Sequence, residues 1–533
     1  MKSKLYCWRI IAVMLFMIRP SGLVADVRVN STGAGDPERR PIWVLFYDKG
    51  EGEDAYLRGV INAPQVTERA RQRRLQRGTR DILNYMDVDI PAEYIQQVLS
   101  SGAQIRIVSR WFNAISVLAS EQEEAYINDL PMVKKTNRVM RVSRRFIKQV
   151  DRDPDGADDA NIQYEDYGSS YAQLDQIGVI AAHDSGYTGT DVWVLMLDTG
   201  FMTSHSVFSP ERIVGEFDFI QNDSITTNQD GDAAQQHDHG TATASVVGGY
   251  EPGSLLGVAY DCSFLLAKTE ILDQEIQIEE DYYTAGLEWG EALGTDIVSS
   301  SLGYIDWYTF DQMDGHTAIT TQAVDIAASL GVVCVTAAGN EGGSTWGHII
   351  APADADSVIS CGAVNSDGIL AAFSSPGPTA DGRIKPEVVA RGVSTYAAGT
   401  SSDVSFINAS GTSLSTPLVA GATALILEAH PTWNPMMVRE ALMMTASQSE
   451  SPNNQYGYGI IDVMAAINYS YQITVGDITQ DGLVNVNDVV LLLDWILSGT
   501  LMGPDQIGRA DFSGDGEVNI LDVVQLVEAI LTT

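Results

Sequence analysis

The chain has little cysteine, little positive charge, few histidines and no long apolar run. Each shortage excludes something. Four cysteines in 533 residues do not make a small fold stapled by disulfides. Cys7 sits in the N-terminal segment, which leaves Cys262, Cys334 and Cys361, an odd number. Cys334 lies in "GVVCVTAAGN" and Cys361 in "VISCGAV", where cysteines read as small buried hydrophobes. A Cys334–Cys361 bridge is the alternative, and spacing does not decide it. No apolar run approaches the roughly 18 residues of a membrane-spanning helix. Lys and Arg number 32 against 70 Asp and Glu, a net charge of −38. The imbalance is uneven: residues 1–150 hold 24 basic against 16 acidic side chains, net +8, and residues 151–533 hold 8 against 54, net −46. So acidic a surface repels phosphate and excludes nucleic-acid binding by the larger part. It also suits a salty medium. The basic part has its own acidic neighbour as a ready partner.

What is there begins with length. A chain of 533 residues, 45% hydrophobic and 19% charged, fits two to four packed domains. Lys2, Lys4 and Arg9 precede the apolar run Ile10 to Ile18, and small residues follow, with a cut placed after Ala25. That is the pattern of a secretory signal over 1–25, so an extracellular destination is expected. Residues 26–150 alternate strand-like and helix-like stretches and predict a small α+β domain. The acidic, apolar-poor run from Asp151 to Asp166 predicts a flexible boundary, with a linker over 151–163. From Tyr164 to Ser470 near-continuous apolar strands alternate with helices, which predicts an α/β fold with a mainly parallel sheet covered on both faces. The tail, 475–533, repeats itself: "GDITQDGLVNVNDVVLLLDWIL" is answered by "ADFSGDGEVNILDVVQLVEAIL".

The chemistry gathers in four stretches. In "NASGTSLSTPLVAG", Ser413 precedes a helical run, and Pro417 predicts a first helical turn there. A hydroxyl at a helix N-terminus lies near unpaired N–H groups and the positive dipole end. Serine still needs a base and a group to orient that base. His239 in "QQHDHGTATAS" is the base candidate, with His237 as competitor. Asp198 ends the buried strand "DVWVLMLD", where a carboxylate is costly without partners, and strand C-termini are where sites of open α/β sheets lie. Asn340 in "TAAGNEGG" follows another strand and can donate to an oxyanion.

Together "VLMLDTGF", "HDHGTATAS", "TAAGNEGG" and "SGTSLSTPLVAG" resemble the signature blocks of subtilisin-like serine peptidases, in the Asp, His, Ser order of that family. The resemblance implies a three-layer subtilisin-like fold over 164–470 and hydrolysis of peptide bonds in protein substrates, with no cofactor for catalysis. It implies Ser413 as nucleophile, His239 as general base, Asp198 as orienter, and Asn340 with the Ser413 N–H as oxyanion hole. Ser301, Leu302, Gly303 and Gly339 would bind extended substrate by strand addition. The chain departs from the pattern at Ala242-Thr243-Ala244-Ser245, where His-Val-Ala-Gly is common, and at Leu414, where Met is common; neither change reads as touching the triad. Ile350 falls at the floor of the P1 pocket, where glycine is common, and favours small or medium P1 side chains. Residues 26–150 would be the inhibitory, chaperone-like propeptide, with "RVSRRF", Arg141 to Phe146, as one region for its removal.

The tail carries EF-hand-like spacing. Asp477, Thr479, Asp481, Asn485 and Asp488 fall at loop positions 1, 3, 5, 9 and 12. Asp511, Ser513, Asp515, Asn519 and Asp522 repeat the set. Hard oxygens on alternate residues, with glycine at position 6, suit Ca2+. The two half-EF-hands resemble a type I dockerin, a small α-helical domain, which implies a cohesin-type partner. Val486-Asn487 and Ile520-Leu521 stand where many dockerins have hydroxyl residues, so docking elsewhere, or a calcium-stabilised cap, stay open. The family also implies calcium in the peptidase domain, without assigning ligands. A non-catalytic binding protein of the same fold and a scaffold component remain as rival readings.

Overall fold

The structure, a computed structural model, describes residues 39–59, 63–79, 82–138, 151–152, 166–272, 276–470, 474–479, 484–498 and 504–532. The segment read as a signal and the region Arg141–Phe146 lie outside the described residues.

The N-terminal domain runs β1 (Arg40–Phe46), α1 (Gly50–Leu57), α2 (Glu68–Gln76), α3 (Ala92–Leu99), β2 (Gln104–Ser109), β3 (Ala114–Ala119), α4 (Glu121–Asn128) and β4 (Val133–Arg138). Its four strands form an antiparallel sheet in the order β2-β3-β1-β4. Ile42, Val44, Ile115 and Val117 fill its core on one face. A short strand, β5 (Asp151–Arg152), follows.

The large domain opens with α5 (Tyr171–Asp175) and α6 (Val179–Asp184), then β6 (Trp193–Asp198), β7 (Ile213–Asp218) and α7 (Asp238–Gly248). A small hairpin, β8 (Tyr250–Glu251) and β9 (Leu255–Leu256), leads to β10 (Ser263–Lys268), α8 (Ile278–Leu293), β11 (Ile297–Ser300), α9 (Ile319–Ser329) and β12 (Val333–Ala337). Next come β13 (Val358–Val364), β14 (Val388–Arg391), β15 (Thr395–Ala398), β16 (Phe406–Ser410), α10 (Thr412–Ala429), α11 (Pro435–Thr445) and α12 (Val463–Ile467). The tail supplies α13 (Val486–Ser498), α14 (Pro504–Ala510) and α15 (Ile520–Thr532).

Seven strands make the central sheet, ordered β14-β13-β12-β11-β6-β10-β7, and every pairing in it is parallel. Strand side chains alternate between faces. Val194 and Met196 of β6 therefore join α7, α10 and α11 in one core, while Leu195 and Leu197 join α8 and α9 in the other. The three layers explain why these strands are apolar throughout. Among the described residues one helix, α10, is long and apolar enough to cross a membrane, yet 83% of it is buried in the core. Cys262, Cys334 and Cys361 are free and buried. No bridge joins Cys334 to Cys361, and burial pushes the Cys262 thiol up to about 12.

The N-terminal sheet lies on α8. Three carboxylates of α8, and Asp296 just beyond it, draw their partners from the sheet, its connections and α2 of the N-terminal domain. Asp281 accepts from Trp43 Nε1 at 2.8 Å and Ser116 Oγ at 2.6 Å, and pairs with Arg106. Glu288 accepts from Ser109 Oγ and from the Arg110 N–H. Glu291 binds Arg73 and, at 2.7 Å, Arg74. Asp296 binds Arg69 and Arg77. Among the described residues, every cation paired with these four comes from the N-terminal domain. The opposite charges of the two parts thus meet in one buried interface.

Of the acidic boundary, residues 153–165 lie outside the described residues. Its first two residues, β5, pair antiparallel with Ala409 and Ser410 of β16. An open strand edge has unpaired N–H and C=O groups that attract such an addition.

Candidate active site

Parallel strands deliver the candidate residues to one end of the sheet. Asp198 is the last residue of β6 and is completely buried. Its Oδ1 accepts from His239 Nδ1 at 2.7 Å and from the Thr199 N–H at 2.7 Å. Its Oδ2 accepts from Thr243 Oγ1 at 3.0 Å. Burial alone would push the carboxyl up, but the His239 contact, the Thr199 N–H and the Thr243 hydroxyl outweigh it and hold Asp198 below the usual carboxylate range.

His239 is the second residue of α7 and only 7% exposed. Gly240 lets it come this close: a Cβ there would lie 2.2 Å from the Gly200 carbonyl oxygen. His237 is engaged elsewhere, with Nδ1 3.1 Å from Thr227 Oγ1 and accepting from the Asn228 N–H.

Ser413 is the second residue of α10 and partly exposed. Its hydroxyl donates to the Ser301 carbonyl at 3.3 Å. The helix starts at Thr412, so Pro417 is its sixth residue and lies beyond the first turn. Proline has no N–H for the carbonyl four residues back, which is that of Ser413. Ser301 Oγ donates to this carbonyl instead, at 2.8 Å. Asn340 Oδ1 is taken by the Thr412 N–H at 2.9 Å and the Thr412 hydroxyl at 3.0 Å. That fixes the amide and leaves Nδ2 as its donor. Gly411, with φ +146°, lies between the donors: a Cβ on it would sit 3.5 Å from Asn340 Nδ2 and 3.7 Å from Ser413 N.

Ser301, Leu302 and Gly303 continue from β11, and Gly339 from the neighbouring β12. Ile350 fills the space between these two exits. A Cβ on Gly303 would meet its Cδ1 at 2.2 Å, and one on Gly339 its Cγ2 at 2.9 Å.

One sequence expectation needs correcting. The Ala242–Ser245 departure does touch the triad candidates, because Thr243 binds Asp198. Thr199, Thr412 and the Ser301 hydroxyl were also beyond reading from the motifs. The signal for Thr243 was its position four residues after His239, which puts both on one helix face.

In the tail, Asp488 Oδ1 accepts from Thr479 N at 2.8 Å and its Oδ2 from Asn485 N at 2.7 Å. Asp522 repeats this with Ser513 N at 2.9 Å and Asn519 N at 2.8 Å. Asp511 gathers the N–H groups of Gly514, Asp515 and Gly516. Burial opposes its charge slightly, but these donors hold it below the usual range. Asp477 lies next to Arg509, whose Nη1 donates to its carbonyl. Asp481 lies outside the described residues. Among the described residues no three His, Cys, Asp or Glu side chains converge as a metal site.

Comparison with known proteins agrees with this architecture. Residues 189–459 match the model of the subtilase family, Peptidase_S8. Residues 41–153 match the peptidase S8 propeptide domain of Bacteroidota, and residues 475–531 the dockerin type I domain. Subtilisin E of Bacillus subtilis is 34% identical over 335 residues, which span 61% of this chain and 79% of that protein. Subtilisin DY of Bacillus licheniformis is 37% identical over 283 residues, 53% of this chain and 92% of that one. Among solved structures, fervidolysin from Fervidobacterium pennivorans, described as a keratinolytic enzyme related to subtilisin, superposes with a TM-score of 0.56 at 18% identity, over 83% of this chain and 63% of that chain.

Proposed function

Because this chain belongs to the subtilase family of peptidases and carries an S8 propeptide domain and a type I dockerin domain, we propose that it is a secreted, self-processing serine endopeptidase acting on protein substrates through an acyl-enzyme. The observation that carries this reading is the 2.7 Å bond between His239 and a fully buried, ionised Asp198. Ser413 Oγ attacks the scissile carbonyl while His239 takes its proton. The oxyanion forms between Asn340 Nδ2 and the Ser413 N–H. His239 then gives the proton to the departing amine, and water repeats the sequence to release the acid. Asp198 keeps the imidazole in the tautomer with Nδ1–H and supports its positive form.

The segment over Ser301–Gly303, with Gly339, receives extended substrate by strand addition. Ile350 restricts P1 to small or medium side chains. The N-terminal domain acts as the propeptide, and its buried arginine–carboxylate contacts with Glu291 of α8 and with Asp296 support that role. The tail binds Ca2+. Its candidate ligands are all oxygens, the donor set that this hard cation takes. Asp477, Thr479, Asp481, Asn485 and Asp488 would hold one ion, and Asp511, Ser513, Asp515, Asn519 and Asp522 the other. A cohesin-type protein is the partner proposed for the dockerin domain, placing the enzyme outside the cell.

A catalytically silent binding or scaffold protein is the rival reading, and the intact Asp198–His239 pair weighs against it. Intact mass of the purified wild type and Ser413→Ala separates the two. Loss of the N-terminal domain in wild type alone supports the peptidase. If both folded proteins keep full length and neither cleaves a peptide, that reading fails.

A further inference from the structure

We infer that Thr243 is a positioning residue for the peptidase reaction: its hydroxyl fixes the plane of the Asp198 carboxylate from the oxygen that His239 does not use. This rests on the proposed function above and deepens it. The geometry is a two-point grip by one helix. His239 and Thr243 are four residues apart on α7, so their side chains leave the same face. His239 Nδ1 meets Oδ1 at 2.7 Å, and Thr243 Oγ1 meets Oδ2 at 3.0 Å. Thr199 reinforces Oδ1 only. Among the described residues it is Thr243 that donates to Oδ2.

The terminal torsion of an aspartate is broad, without sharp staggered wells. A donor on Oδ1 alone leaves the carboxylate able to swing about that contact. A second donor on the far oxygen removes this freedom, and the carboxylate plane then sets the direction of the imidazole. Thr243 also reaches the Gly240 carbonyl, at 3.1 Å. Its single proton favours the anionic acceptor, since charge-assisted bonds are about twice as strong as neutral ones. Thr243 is completely buried, so it acts through Asp198 and not on substrate.

The charged groups facing Asp198 are few. His239 contacts Oδ1 from α7. Lys268 of β10 is its register partner on the adjacent strand, but the Lys268 ammonium is held by Asp218 at 2.8 Å and Asp232 at 2.7 Å. Removing the Thr243 hydroxyl therefore changes the electron density at Asp198, and among the described residues no cation besides His239 pairs with it. Oδ1 becomes the stronger acceptor, the imidazolium is held more firmly, and the neutral base is reached at higher pH.

The test is Thr243→Val and Thr243→Ser in the mature enzyme, with kcat, KM and the pH profile of kcat/KM measured on a peptide substrate. For T243V we expect kcat to fall about tenfold, in the range set by losing one hydrogen bond to a charged group. KM should be unchanged, and the acid limb of the profile should move to higher pH. T243S should recover most of kcat and the wild-type limb. Three results overturn the inference: T243V with wild-type kcat and profile, a loss of kcat with an unmoved acid limb, or T243S as impaired as T243V. An inactive wild type would instead sink the peptidase reading itself, so the two failures are distinct. If T243V does not mature, T243S decides alone, and a displaced acid limb with the hydroxyl present would refute the role.

Discussion

Ser301 and Ser413 are tied in both directions: Ser301 Oγ donates to the Ser413 carbonyl at 2.8 Å, and Ser413 Oγ donates to the Ser301 carbonyl at 3.3 Å. Pro417 makes the first bond necessary, because it cannot supply the N–H that the carbonyl would otherwise take. Ser301→Ala leaves that carbonyl unpaired and frees the first turn of α10. We predict a stability loss of about 1 kcal/mol, read as a lower Tm, together with a several-fold drop in kcat. An unchanged Tm and kcat would show the reciprocal tie to be idle.

Gly411 occupies the gap between Asn340 Nδ2 and the Ser413 N–H, the two donors proposed for the oxyanion. A methyl group there meets a backbone at φ +146° and lies 3.5 Å from Asn340 Nδ2. Gly411→Ala should cost kcat roughly 100-fold, as for loss of one such donor, and leave KM little changed. Steady-state kinetics on a small ester and on a peptide would check it.

Ile350 predicts substrate choice. Trimming it in Ile350→Gly opens the space beside Gly303 and Gly339. Peptides with Phe at P1 should gain in kcat/KM relative to those with Ala, by at least the roughly 10–200-fold that a single methylene is worth in a hydrophobic pocket. A P1 library scanned with both proteins gives the answer, and identical profiles would remove Ile350 from the pocket.

The interface on α8 predicts a pH dependence. Burial pushes the Glu291 carboxyl up, but Arg73 and Arg74 outweigh it and hold it below the ordinary glutamate value. A depressed acid contributes stability that is full above its unfolded value, about 4.3, and is lost as pH falls through the lower folded value. In a Ser413→Ala background, Glu291→Gln leaves the buried Arg73 without its anion and Arg74 with Asp87 alone, costing about 3 kcal/mol at neutral pH. Melting curves of the two proteins should differ most near pH 7 and converge on acidification below pH 4.

Calcium should stabilise the tail. Asp522 closes its loop through Ser513 N and Asn519 N. Asp522→Ala should abolish one of two calcium sites by isothermal titration and leave the other. Chelation should lower the melting of the tail in wild type. Two intact sites in the variant would exclude Asp522 as a ligand.

Much of this was legible in the chain, for physical reasons. Asp198, His239, Asn340 and Ser413 each sit at an apolar strand end or a helix start, which periodicity reveals. The apolar strands forecast a covered parallel sheet. Charge asymmetry pointed to contact between the two parts, but not to Glu291 or Asp296, because pairing across more than 200 residues has no local signal. Thr243 was misread since a helix face shows only once α7 is placed against β6. Pro417 was placed a turn too early, because the start of α10 depends on Asn340 holding Thr412. The pairing of β5 with β16 lies in an acidic run with no strand pattern.

The cations have one last consequence. From residue 151 onward the sequence contains only two lysines, Lys268 and Lys385. They are 0% and 1% exposed, and each is locked to carboxylates, Lys268 by Asp218 and Asp232 and Lys385 by Glu387. The folded peptidase and its tail therefore offer no side-chain amine to the outside. If the N-terminal domain is removed by a cut beyond Lys148, an amine-reactive dye has only the new α-amino group to label, whereas a cut within Arg141–Phe146 leaves Lys148 as a second target. The marks would report where the chain was cut.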